Sequence, residues 1–271
     1  MSLLDQKIAV AGRSSDITET ADERILGISF FSGTAREAIE HFRKAGGLLV
    51  APASPGLLKL YYDEEYRRAL QQADLAIADS ELLVLVWKLV TGRKLNKISG
   101  ISYLRSLLDG GISKNDAVFW VVSSDLAKKR AFKWLAAHGF QSEEEDFYVA
   151  SLQEKTEDYA LLLQIEKRKP RDVVIATVAG AQEKLGLYLR DYLHCQPRPN
   201  IHCLGAALGF LTGDQPPISD WADRHNLGWL PRLFSQPRLL IPRIGIAFAL
   251  IGMVLKYRSE LPPLRSRWTE L

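Results

Sequence analysis

Short apolar runs alternate along this chain with amphipathic stretches of about a dozen residues. Residues 25–31 (ILGISFF) predict a strand, and Thr34 stands as a cap before AREAIEHFRKAG, whose spacing is helical. Residues 47–53 predict a second strand, and residues 63–72 a helix with Glu64, Glu65, Arg67 and Arg68 on its outer face. The alternation continues with strands at 74–79, 117–123, 173–178 and 200–208, and helices at 80–90, 125–137 and 182–194. Continuous β-branched runs between helices imply parallel strands covered on both faces, a doubly wound, Rossmann-like, mainly parallel α/β sheet. The pattern stops after Gly213, where prolines appear at 216, 217, 231, 237, 242, 262 and 263. The chain therefore divides into an N-terminal extension (1–24), an α/β core (25–213) and a C-terminal helical appendage (214–271).

Composition adds little to that fold but changes the view of the appendage. With 271 residues, 47% hydrophobic and 25% charged, the chain is long enough to bury a full core. The net charge is only +3, yet from Arg224 onward the acids are Glu260 and Glu270 alone, against eight Arg and Lys residues. A tail of this sign fits phosphate groups or an anionic leaflet better than nucleic acid coating the whole surface. Trp221, Trp229, Arg232, Arg238 and Arg243 lie in one proline-punctuated stretch that runs into the charge-free segment 244–255. Guanidinium forks bind phosphate bidentately and tryptophan rings settle between headgroup and acyl chain, so this stretch fits an anionic ligand beside a membrane. Ordinary packing of the tryptophans and surface placement of the arginines is the competing reading. As a helix, segment 244–255 would span about 18 Å where a bilayer core needs about 30 Å, so it is expected to lie on a membrane and not to cross one. Two cysteines give no disulfide framework, and the first residues lack the basic flank and long apolar run of a signal peptide. A cytoplasmic protein on the inner membrane face is expected.

In open α/β sheets ligands bind beyond the carboxyl ends of the strands. Four places there carry polar residues: 52–54 with Ser54, Asp79 with Ser80, Ser123 with Ser124, and 179–183. Asp79 closes the apolar run LAIAD and is a candidate general base; the alternative is an N-cap for the helix that follows. Gln182 and Glu183 would orient a ligand's polar groups, or cap their helix. The acidic run 141–147 reads as a solvated loop. No GxxxxGK[ST], GxGxxG or G-x-S-x-G motif occurs, which weakens nucleotide triphosphatase, NAD and α/β-hydrolase readings. There is no Asp-x-Asp pair either, so a sugar transferase here would balance its leaving phosphates with arginines and backbone dipoles instead of a metal. His202 and Cys203 are neighbours on a predicted strand, where they would face opposite ways and could not share a zinc ion.

The ordered segments ILGISFFSGTAREAIEHF, YYDEEYRRALQQADLAIADSELLVLVWKLVTGRKLNKISGISYLRSLL, AGAQEK, FLTGDQPPISDW and NLGWLPRLFSQPRLLIPR together resemble the WecG/TagA/CpsF glycosyltransferases (glycosyltransferase family 26) over about residues 25–243. The resemblance implies a GT-E-like core and an inverting, metal-independent transfer of an N-acetylmannosamine-type sugar from UDP to a polyprenyl-diphosphate-linked acceptor. It places the base at Asp79, the Gln-Glu pair at Gln182 and Glu183, and the appendage arginines at Arg232, Arg238 and Arg243, with Ser54 and Ser80 as nearby hydroxyls. A homo-oligomer is compatible with it. The chain departs from the family pattern at Ala51, Ala53, Ser80, Ser102, Ser123, Ser124, Gly180 and Gly209. These changes leave a second reading open, a non-catalytic partner that binds nucleotide sugar or membrane in a polysaccharide assembly complex.

Overall fold

A computed structural model describes residues 22–151, 157–214 and 240–265. Eight strands form one sheet: β1 (Glu23–Ile25), β2 (Ile28–Phe30), β3 (Gly47–Val50), β4 (Leu75–Ala76), β5 (Val118–Val122), β6 (Phe147–Val149), β7 (Asp172–Ala176) and β8 (Asn200–Cys203). Their spatial order is β1-β2-β4-β3-β8-β7-β5-β6. β1 and β2 pair antiparallel, and every other pairing is parallel. This is the doubly wound α/β fold predicted by the alternation.

The period of two along each strand separates two cores. Leu48, Val50, Phe119, Val121, Val173, Ile175, Ile201 and Cys203 face one layer, together with the helices Glu64–Gln71, Glu81–Thr91, Tyr159–Arg168 and Ala181–Tyr192. Leu49, Val118, Trp120, Val122 and Val174 face the other, against the helices Ala35–Ala45, Gly100–Ser106, Asp125–Ala137 and Ala207–Thr212. His202 turns its ring to Tyr103 and Phe42 while Cys203 points into the opposite core, as the strand geometry required. Helix starts follow local chemistry: Thr34 and Glu37 form a capping box, and Asp63, Ser80, Ser99, Ser124 and Asp158 each accept a backbone N–H of the helix they open.

The predicted strand 25–31 is a hairpin instead. Leu26 and Gly27 take positive φ (52° and 79°), which folds β1 back on β2. A Cβ at Gly27 would also stand 2.8 Å from the Cβ of Leu261, so this turn needs glycine twice over. The predicted strand 200–208 ends at Cys203, and Gly205 (φ 59°) turns the chain into the helix Ala207–Thr212.

Part of the C-terminal region belongs to the first core. In the helix Leu240–Tyr257 the side chains of Leu250, Met253 and Val254 are buried, and the helix lies against Glu81–Thr91 and the one-turn helix Ser54–Leu57. Ile244, Phe248 and Leu255, at spacings of four and seven, remain exposed. Beyond the helix, Leu26 and Gly27 donate backbone N–H groups to the carbonyls of Arg258 (2.7 Å) and Ser259 (3.0 Å). The guanidinium of Arg265 stacks 4.1 Å from the Tyr61 ring centre. Among the described residues no helix is long and apolar enough to cross a membrane.

Candidate active site

Asp79 follows β4 and is partly exposed. The cap of the next helix is Ser80, whose hydroxyl accepts the N–H of Leu83 at 3.1 Å, so the N-cap alternative for Asp79 does not hold there. Asp79 instead accepts the N–H of Gly100 at 2.9 Å through Oδ1. Gly100 is the first residue of the helix Gly100–Ser106, where backbone N–H groups have no partner inside the helix. β3 and β4 are neighbours, and their following loops place the Ser54 and Ser80 hydroxyls 2.5 Å apart. Asp79, Ser54 and Ser80 are thus brought to one place.

Gln182 and Glu183 come to the same edge of the sheet but point inward. Both are buried, at 1% and 0% exposure, which sets them apart from a pair in contact with ligand. The Glu183 carboxylate accepts the Gly180 N–H at 2.6 Å and the Gln182 amide at 3.1 Å. Gln182 Oε1 accepts the N–H of Gly205 at 2.7 Å, tying the loop after β7 to the loop after β8. Burial pushes the Glu183 carboxyl above its ordinary range, against the lowering effect of those hydrogen bonds and of Lys59. Their geometry is that of residues that hold the loops in register. The loop after β8 in turn meets Asp79's partner, because a Cβ on Gly100 would lie 3.1 Å from the carbonyl oxygen of Leu204. A chain of contacts therefore runs from Asp79 through Gly100, the 204–205 turn and Gln182 to Glu183.

Lys59 is a member of this edge that periodicity alone did not single out. Its ammonium donates to the Ala179 carbonyl at 3.1 Å, beside Gly180 (φ 94°), where a side chain would collide with it. The signal in the sequence was a lone cation in an otherwise apolar turn, SPGLLKLYY. Thr177, closing β7, has a buried hydroxyl with no hydrogen-bond partner among the described residues. Ser124 caps its own helix, and Ser123 is exposed at the end of β5. Arg232, Arg238, Trp221 and Trp229 lie outside the described residues, as does the side chain of Arg243. The last described residue before that stretch, Asp214, pairs with Arg130 at 2.7 Å. Among the described residues no group of three or more His, Cys, Asp or Glu side chains is placed to hold a metal ion.

The sequence profile of the glycosyl transferase WecG/TagA/CpsF family matches residues 23–263. The chain belongs to this family. It is accordingly a glycosyltransferase, of a family that acts in polysaccharide biosynthesis. No curated protein matches the chain individually. At the carboxyl edge of this WecG/TagA/CpsF sheet stands a partly exposed carboxylate, Asp79, one oxygen of which accepts an amide N–H.

Proposed function

We propose that this glycosyltransferase moves a sugar from a UDP donor to a polyprenyl-diphosphate-linked acceptor with inversion, at the inner face of the cell membrane. The observation that carries the reading is the Asp79 carboxylate, partly exposed beyond β4 and oriented through Oδ1 by the Gly100 amide. In the proposed step an acceptor hydroxyl oxygen attacks the anomeric carbon from the face opposite UDP. Its proton passes to Asp79, and the bond to the departing diphosphate oxygen breaks with its electron pair on UDP. Ser54 lines the approach, while Ser80, buried and capping its own helix, holds the Ser54 hydroxyl, and Gln182 and Glu183 act as positioning residues. Arg232, Arg238 and Arg243 balance the charge that grows on the diphosphate, a role that needs no metal.

Membrane association is part of the proposal. The exposed stripe of Ile244, Phe248 and Leu255, on a helix packed against one that exposes Leu85 and Leu89, offers apolar surface suited to the headgroup boundary. Arg243, Lys256 and Arg258 flank that stripe in sequence with charge suited to anionic lipid.

The test is UDP release from a panel of UDP-sugars with a prenyl-diphosphate acceptor. Asp79→Asn is expected to lower the rate by about 100-fold or more while UDP binding, read by calorimetry, stays unchanged. Wild-type rates in Asp79→Asn would remove the base. Absence of UDP release by wild type with every donor would favour a non-catalytic partner in an assembly complex.

A further inference from the structure

At the amino edge of the sheet, opposite the edge that carries Asp79, lies a cavity of about 1010 Å³. Its walls come from the residues that lead into β3, β4, β7 and β8 and from the ends of the helices that precede them. Six cations line it: Arg43, Lys44, Lys169, Arg171, Arg190 and Arg198. Two acids, Asp74 and Asp191, oppose them, and both are engaged by Arg190, at 3.6 and 2.9 Å. Arg43 faces Asp116 and the buried Asp172 at the long distances of 3.6 and 3.9 Å, and its Nε has no hydrogen-bond partner. Among the described residues, the side chains of Lys44, Lys169, Arg171 and Arg198 make no ion pair or hydrogen bond.

Helix ends account for only part of this charge. Lys44 sits in the last turn of Ala35–Ala45 and Lys169 follows Tyr159–Arg168, where a cation meets the negative end of the helix dipole. Arg171 and Arg198 serve no helix. They precede the paired strands β7 and β8, and the Asn200 N–H donates to the Arg171 carbonyl at 2.9 Å, which keeps the two segments side by side. Four like charges without counter-charges around one concavity repel each other, and an anion of several charges placed among them relieves that repulsion.

The geometry points to a binding site for a soluble phosphate chain, a di- or triphosphate, at this amino edge. Arginine forks match phosphate oxygens bidentately. Among the described residues no aromatic side chain lines the cavity to stack on a base, and recognition falls on the phosphates. Gly46, Gly47, Pro170 and Pro197 form wall without side-chain hydrogen-bonding groups, and of the two amides there Asn200 donates to Asp172, so with Gln196 the cations are the groups that meet a ligand.

Calorimetry of the full chain with inorganic tripolyphosphate tests this. Arg171→Glu with Arg198→Glu is expected to weaken binding about tenfold or more with Tm unchanged, while Lys129→Glu with Lys133→Glu, on the exposed face of Asp125–Ala137, changes it less than about twofold. Asp79→Asn is expected to bind tripolyphosphate as wild type does. The proposal is overturned if wild type does not bind tripolyphosphate or if both charge reversals weaken it equally. It is also overturned if Arg171→Glu with Arg198→Glu abolishes association with anionic phospholipid vesicles and leaves tripolyphosphate binding intact, which would make the source a lipid headgroup. None of these outcomes depends on sugar transfer by Asp79.

Discussion

Glu183 is fully enclosed and spends its oxygens on Gly180 and Gln182. Because burial raises its folded-state pKa, the folded chain holds this proton more tightly than the unfolded chain does. Its contribution to stability is therefore greatest below the ordinary glutamate value of 4.5 and is lost as pH rises through the raised one. Glu183→Gln removes that dependence, so the Tm of wild type relative to Glu183→Gln is expected to fall as pH rises above the ordinary glutamate value of 4.5. A difference that stays flat would show that the carboxyl is not held up by burial. At this scale the sequence announced Asp79 and Ser80, since polar residues that close an apolar run lie beyond a strand end. It did not announce that Gln182 and Glu183 turn inward, because a polar pair in a first helical turn reads the same whether it faces solvent or a neighbouring loop.

The helix Leu240–Tyr257 carries apolar residues on two faces, and they do different things. Leu250 is enclosed by the first core, so Leu250→Ala is expected to cost about 2–5 kcal/mol in denaturant unfolding. Phe248 is 69% exposed and Leu255 54%, so Phe248→Ser with Leu255→Ser is expected to move stability by less than about 1 kcal/mol. The same pair is expected to lower association with anionic liposomes, and unchanged association would assign those side chains no part in membrane contact. From sequence, segment 244–255 could be read as surface-seeking or as core, because an uninterrupted apolar run shows no polar face to choose between them. Five helices and the strands other than β1 and β6 were legible through caps and periodicity, whereas β6, which starts at Phe147 inside the run read as a loop, and the helices Gly100–Ser106 and Ala207–Thr212 were not read. Nor was the helix Tyr159–Arg168, since YALLLQIEKR opens on consecutive apolar residues that suit a buried strand as well, and only Asp158 marks its start. Asp158 also accepts from Tyr148, whose phenol is pushed up to about 12 by burial and by that hydrogen bond.

Across the whole molecule the sheet keeps two polar clusters apart at its two ends. The carboxyl ends of β3, β4, β7 and β8 gather Ser54, Asp79, Gln182 and the 204–205 turn, while the amino ends of the same four strands gather the cationic cavity. The order of layers followed from alternation alone, but the hairpin at β1 and β2 did not, because its turn is fixed by a partner more than 230 positions away in the chain. β1 is an outer strand of the sheet, and an outer strand offers unpaired backbone groups to any neighbour. The turn that starts this edge is latched by Arg258 and Ser259, with Leu261 closed over Gly27. Deleting residues 258–271 would unfasten that latch without touching β7 or β8. Hydrogen exchange at the Leu26 and Gly27 amides is expected to accelerate at least about tenfold in the shortened chain, with the β7 and β8 amides still protected. The frayed border would then be the place where one copy of the chain first adheres to another.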